Sequence, residues 1–167
     1  MKRIAVVSTG GTIEKTYNEL DGVLSNRLNV LDVMLASLQL HGVELVRVPL
    51  MNKDSLDMST EDHHLIAETA GLMSEAHDGV VVVHGTDRLA DSGDCAVALL
   101  GIPRVPIVFT GAMRPYELRT SDALQNLTEA LLAVQIVGPG IYVAIHNQLL
   151  QFPGVTKDRD RGTFTSS

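Results

Sequence analysis

Four consecutive valines, Val80 to Val83, constrain this chain more than any other feature. A strand that is apolar at every position has no solvent face, so it must lie in the interior of a sheet covered on both sides. Gly79 bounds the run on one side and His84-Gly85 on the other. Four shorter β-branched runs share its character: Arg3 to Ser8, Glu44 to Val48, Pro106 to Thr110 and Gly140 to His146. Amphipathic segments separate them. Asn29 is placed to cap a helix through Leu40, with Gly42 beyond its end. Ser59 is placed to cap a helix to about Ala76, with Asp62 supporting the first turn. Leu89 to Leu100 and Ser121 to Ile136 read as two more. Strand and helix alternating through short loops imply right-handed crossovers, hence an α/β fold with a doubly wound, mostly parallel sheet flanked by helices.

The chain has 167 residues, 45% of them hydrophobic. At ~100–200 residues per domain, this predicts a single domain over 1–167. Thirteen Lys and Arg against twenty Asp and Glu give 13 − 20 = −7. That acidic balance argues against nucleic acid or an anionic membrane as partner, and leaves a small polar substrate. Cys95 is the only cysteine, so neither an intrachain disulfide nor a thiolate zinc cluster is expected. Its apolar helical surroundings predict a buried thiol. The N-terminal apolar run, Ile4 to Val7, is too short for a signal sequence, and the expected location is cytoplasmic.

In a doubly wound sheet, ligands sit beyond the carboxyl ends of the strands. The residues there are Ser8-Thr9-Gly10-Gly11-Thr12-Ile13, His84-Gly85-Thr86-Asp87, Thr110-Gly111-Ala112-Met113-Arg114-Pro115, and His146-Asn147-Gln148 leading to Val155-Thr156-Lys157. From Gly10, the positions a dinucleotide fingerprint reserves for glycine hold Thr12 and Lys15, and no phosphate loop or nucleophile elbow occurs. Thr12 follows two glycines, where backbone N–H groups can face an oxyanion. A threonine hydroxyl needs a neighbour to take its proton. Two routes are open: Tyr17 downstream, or a second hydroxyl, Thr86, with Asp87 and Lys157. Asp87 would hold the lysine and Lys157 would lower the cost of deprotonating a threonine.

Taken in order, Thr9-Gly10-Gly11-Thr12-Ile13, His84-Gly85-Thr86-Asp87, Gly111-Ala112-Met113-Arg114-Pro115 and Val155-Thr156-Lys157 resemble the bacterial-type L-asparaginase (asparaginase/glutaminase) family, specifically its larger N-terminal domain. The resemblance implies hydrolysis of the side-chain amide of L-asparagine to aspartate and ammonia, without metal or cofactor. It assigns nucleophilic attack to Thr12, catalysis or water activation to Thr86, substrate α-amino binding to Asp87, and completion of a second triad to Lys157. Asp54-Ser55-Leu56-Asp57-Met58-Ser59 resembles the loop whose serine binds the substrate α-carboxylate, which carries that role to Ser55; the alternative is a plain turn before the Ser59 helix. Arg114 is read as structural.

Three departures qualify the resemblance. The family's activating tyrosine lies further from the threonine than Tyr17 does. Leu56 stands where some relatives carry a polar substrate-binding residue. The family's smaller C-terminal domain has no counterpart here, which leads to the expectation of a homo-oligomer whose second copy covers the open face. A different class also stays open: a small amino-acid-binding or regulatory protein with little turnover. His63 and His64 are read as solvated, and the charged segment from Asp158 to Gly162 as a solvated tail.

Overall fold

A computed structural model describes residues 1–25 and 30–167. In chain order these form β1 (Lys2–Gly10), a 3-10 turn (Thr12–Glu14), the strands β2 (Thr16–Asn18) and β3 (Val23–Ser25), α1 (Val30–Ser37), β4 (Val43–Lys53) and a second 3-10 turn (Ser55–Asp57). There follow α2 (Thr60–Ala76), β5 (Gly79–Val83), α3 (Leu89–Leu100), β6 (Ile107–Thr110), α4 (Ala123–Ile136), β7 (Ile141–Ile145), β8 (Gln148–Gln151), β9 (Val155–Asp158) and β10 (Thr163–Ser166).

The main sheet has six strands in the order β4-β1-β5-β6-β7-β8. All neighbours are parallel except β7 and β8. The valine run explains this arrangement. Val80 and Val82 enter the layer formed with Ile66, Ala70 and Leu89 of α2 and α3. Val81 and Val83 enter the opposite layer with Leu31 and Met34 of α1 and Leu127 and Val134 of α4. All four valines are fully buried. The expected doubly wound sheet is therefore the observed one, because only two covered faces can take every side chain of such a strand.

Local signals set several boundaries. Ser59 accepts from the Asp62 N–H and Asp62 reaches back to the Ser59 N–H, a complete capping box that starts α2. The α3 helix spans Leu89–Leu100 as its pattern predicts. Other boundaries differ. Asn29, the predicted cap of α1, lies outside the described residues. That helix ends at Ser37 rather than Leu40, closing with a tightened Leu38 N–H to Leu35 carbonyl bond. Strand β4 continues past Val48 to Lys53, and it can carry Pro49 because it lies at the sheet edge. Strand β7 stops at Ile145, since His146 and Asn147 take φ of 52° and 60° in the left-handed region and turn the chain tightly into β8.

The charged segment is exposed from Arg159 to Arg161 as expected, but it forms the turn of a hairpin and not a free tail. Lys157 and Asp158 belong to β9, which pairs antiparallel with β10, and Lys157 sits opposite Phe164. Phe164 is fully buried in the α2/α3 layer. Alternating charge concealed a hairpin anchored by one aromatic. Phe164→Ala is expected to destabilise the protein by about 3–5 kcal/mol. The check is a lowered urea midpoint at unchanged slope.

Candidate active site

Strand order alone locates a crevice. The connection after β1 leads to β4 on one side, while β5 lies on the other side of β1. The chains leaving the carboxyl ends of β1 and β5 therefore run on to opposite sides of the sheet, the switch point at which doubly wound folds place their ligands. Thr12 stands at the end of β1, on the first residue of its 3-10 turn. Thr86 and Asp87 stand just beyond β5.

Backbone contact holds the two loops together. Gly11 has φ +91°, and a Cβ added there would meet the Gly85 Cα at 2.5 Å. A Cβ on Gly85 would meet the Ser55 Oγ at 2.8 Å. The loops after β1, β4 and β5 thus stack at distances that leave no room for a side chain on either glycine. Ser55, predicted as a carboxylate ligand, is 1% exposed, and its Oγ accepts from the Arg88 N–H at 3.2 Å. Beside it the Asp54 carboxylate caps the turn at the Leu56 N–H and accepts from the Lys15 Nζ at 2.8 Å.

Lys157 closes the site from the far end of the chain. Its Nζ donates to the Thr86 Oγ1 at 2.8 Å and to the Asp87 Oδ1 at 2.9 Å. The β9–β10 pairing delivers this ammonium across 71 residues of sequence. The Lys157 ammonium is foremost in holding the Asp87 carboxyl below the usual carboxylate range, and Arg159 adds to it. Arg159 donates to the same Oδ1 at 3.0 Å. Arg159 belongs to the segment expected to be a solvated tail, and nothing in its alternating charge marks it as a ligand of Asp87. On the turn with Thr12, Glu14 is buried, and burial raises its pKa.

Tyr17 lies apart from this cluster in character. It is 57% exposed on β2, and its backbone N–H donates to the Glu117 carboxylate at 2.7 Å. Arg114 takes the structural part expected of it: its Nη1 donates to the Thr120 carbonyl, and its N–H to Asp122, which also receives the Met113 N–H. Cys95 departs from the expected buried thiol: it packs against the edge of the α2/α3 layer and is half-buried, and burial raises its thiol pKa.

Beneath the site runs a network that the residue pattern did not announce. His84 is fully buried, with Nδ1 at 2.7 Å from the Gly85 carbonyl and Nε2 at 2.7 Å from the Ser92 Oγ. The Ser92 Oγ also contacts the His63 Nδ1 at 2.6 Å. His63, expected to be solvated, is 4% exposed. A signal for this exists in the sequence: His63, Ile66, Ala67 and Ala70 are spaced i, i+3, i+4 and i+7 and share the inward face of α2. The adjacent pair His63-His64 invites a test of metal spacing and hides the helical period. Among the described residues no cluster of His, Cys, Asp and Glu has the grouping of a metal site, and no helix is long and apolar enough to cross a membrane.

Fold and site together define an α/β protein with a threonine-rich crevice at its switch point, and known proteins place that class. The "Asparaginase, N-terminal" family matches residues 3–166, so the chain belongs to the asparaginase family. It is 31% identical over 162 residues to an L-asparaginase of Thermococcus kodakarensis, covering 96% of this chain and 49% of that protein. It is also 31% identical over 145 residues to a glutamyl-tRNA(Gln) amidotransferase subunit of Haloquadratum walsbyi, covering 86% of this chain and 33% of that one. The solved thermostable L-asparaginase of Thermococcus kodakarensis superposes with a TM-score of 0.85 at 30% identity, over 98% of this chain and 51% of that structure. The chain thus spans about half the length of the L-asparaginase relative and a third of the amidotransferase relative.

Two outcomes test the site's construction. Gly11→Ala should cost about 1–3 kcal/mol, because the new methyl meets backbone rather than a movable side chain; a thermal melt equal to wild type would contradict the loop contact. Burial pushes the His84 pKa from 6.5 down to about 4. The unfolded chain then binds the proton more readily, so this contribution is complete above pH 6.5 and is lost as pH falls toward 4. His84→Asn should flatten the loss of stability that the wild type shows between pH 7 and pH 5, measured by urea titration at each pH.

Proposed function

We propose that this chain carries the catalytic half of an amidohydrolase that converts L-asparagine to L-aspartate and ammonia through a threonine ester. One observation supports this reading above all others: Lys157 holds both Thr86 and Asp87, residues distant from it in sequence, at the crevice where Thr12 stands. Binding an amino acid would not require two hydroxyls and an ammonium in that order.

In this reading the Thr12 hydroxyl attacks the side-chain amide carbon. Its proton passes to the departing nitrogen, which leaves as ammonia. Water then cleaves the ester and restores the hydroxyl. An ammonium beside the Thr86 oxygen lowers the cost of removing that hydroxyl's proton, so Thr86 would activate water or assist the attack. Asp87 keeps one carboxylate oxygen on Lys157 and Arg159 and would offer the other to the substrate α-amino group, while Ser55 would serve the α-carboxylate. Tyr17 is the second candidate for activating Thr12. The reaction as drawn uses no metal or cofactor.

The amidotransferase relatives favour a second reading, in which the amide is that of glutamine and the ammonia passes to a partner protein. We further propose a cytoplasmic protein that self-associates. Leu72 and Ile102, 68% and 83% exposed, flank a groove between α2 and α3 that a second copy would cover. Sedimentation at micromolar concentration should show a dimer or larger assembly; a fully active monomer would contradict self-association.

Ammonia release separates the enzymatic reading from simple binding. Wild type should act on L-asparagine in preference to L-glutamine. Thr12→Ala should lose at least about a thousandfold in kcat, consistent with removing a covalent nucleophile, and Lys157→Met should lose at least about a hundredfold. Asparagine binding by calorimetry without ammonia above the Thr12→Ala background would establish a binding protein instead. A glutamine rate above the asparagine rate would favour the second reading.

A further inference from the structure

The His63–Ser92–His84 chain has a direction, and a single carbonyl sets it. A carbonyl oxygen only accepts, so the His84 Nδ1, 2.7 Å from the Gly85 oxygen, must carry the proton. A neutral ring then has a bare lone pair on Nε2. The Ser92 hydroxyl, 2.7 Å away, is obliged to donate to it. Having given its one proton to His84, the Ser92 Oγ can only accept from His63, whose Nδ1 at 2.6 Å must therefore be the protonated nitrogen. The His63 Nε2 is left as a buried lone pair with no partner among the described residues. The two rings stack with centroids 6.3 Å apart and planes inclined by 13°. Burial favours the neutral form of both rings, which is the state this arrangement needs.

The chain ends on the peptide that joins Gly85 to Thr86. That peptide is planar and trans, so its C=O and N–H point in opposite directions. Fixing the Gly85 carbonyl on the His84 ring turns the Thr86 N–H away from the histidine. Among the described residues this N–H makes no backbone–backbone hydrogen bond. Glycine at position 85 lets Gly11 and Ser55 approach closely, but with no Cβ it leaves more backbone orientations open to the following peptide than another residue would. The histidine bond removes that freedom.

We propose that Ser92 and His63 are positioning residues for the reaction: through His84 they hold the Gly85–Thr86 peptide in one orientation, keeping the Thr86 hydroxyl on Lys157 and its N–H free to face the developing oxyanion. The proposal rests on the amidohydrolase reading, since an orientation of this kind matters to turnover rather than to folding. Both residues sit on helices behind the site, so neither touches substrate.

The test combines steady-state kinetics with the ring-nitrogen NMR spectrum of His84. In wild type the spectrum should show the Nδ1–H form. Ser92→Ala should lower kcat about tenfold with KM changed less than about twofold, and the His84 spectrum should shift toward mixed tautomers. Ser92→Thr, which keeps the hydroxyl, should recover kcat to within about threefold of wild type. If Ser92→Ala does not fold, His63→Phe keeps a ring against His84 and removes only the donor; its kcat should fall while its KM holds. The proposal is overturned by an active wild type whose Ser92→Ala variant, or whose His63→Phe variant, keeps full kcat. It is equally overturned if His84 carries its proton on Nε2, or if Ser92→Thr loses as much as Ser92→Ala. Failure of the amidohydrolase reading looks different: wild type releases no ammonia from asparagine or glutamine while His84 retains the Nδ1–H form.

Discussion

Everything at the crevice depends on the close approach of main chain where β1 and β5 end. Gly11 lies against Gly85, and Gly85 against Ser55, at separations that exclude even a methyl group. Side chains flanking such a contact inherit its rigidity. Thr12 follows one of these glycines and Thr86 the other, so their placement relative to each other follows from the packing of main chain on main chain and not from flexible side-chain reach. Groups that act together on one ligand need this kind of support, since small displacements between reacting groups cost large factors in rate.

Two further elements lean on that contact from opposite directions. From the solvent side, the C-terminal hairpin brings Lys157 onto Thr86 and Asp87. Burial of Phe164 one strand away ties the hairpin to the core. From beneath, the His63–Ser92–His84 chain reaches the Gly85 carbonyl from α2 and α3. The site is thus an electrostatic cluster above a rigid backbone layer, with a neutral, fully directional hydrogen-bond chain below. Asp87 owes its lowered pKa to the cluster above, and His84 its lowered pKa to the burial below.

The same unit makes up about half of an L-asparaginase relative and a third of an amidotransferase relative. An L-asparaginase and an amidotransferase subunit resemble this chain at equal identity, so identity alone does not choose between their substrates. Arg159 on Asp87 and the exposed Leu56 are features of this chain beside the residues of the candidate site.

The sheet, its two covered faces and the strand ends that carry the candidate site were legible in the residues, because they depend on local pattern. Four β-branched valines in a row, with Gly79 before them and Gly85 soon after, fit a short doubly buried strand, Ser59 with Asp62 opens a helix by mutual capping, and polar residues after apolar strands point to the switch point. Thr12, Thr86, Asp87 and Lys157 could be named for the same reason. What the residues could not disclose was distance between segments far apart in sequence. That Lys157 meets Thr86, that Arg159 shares Asp87, and that Phe164 makes a hairpin of a charged tail are consequences of packing. His63 illustrates the boundary most clearly: its helical period placed it inward, but only α3 packing against α2 supplied Ser92 as its partner. Local propensity selects the elements, and only the assembled layers decide which polar groups come close enough to bond.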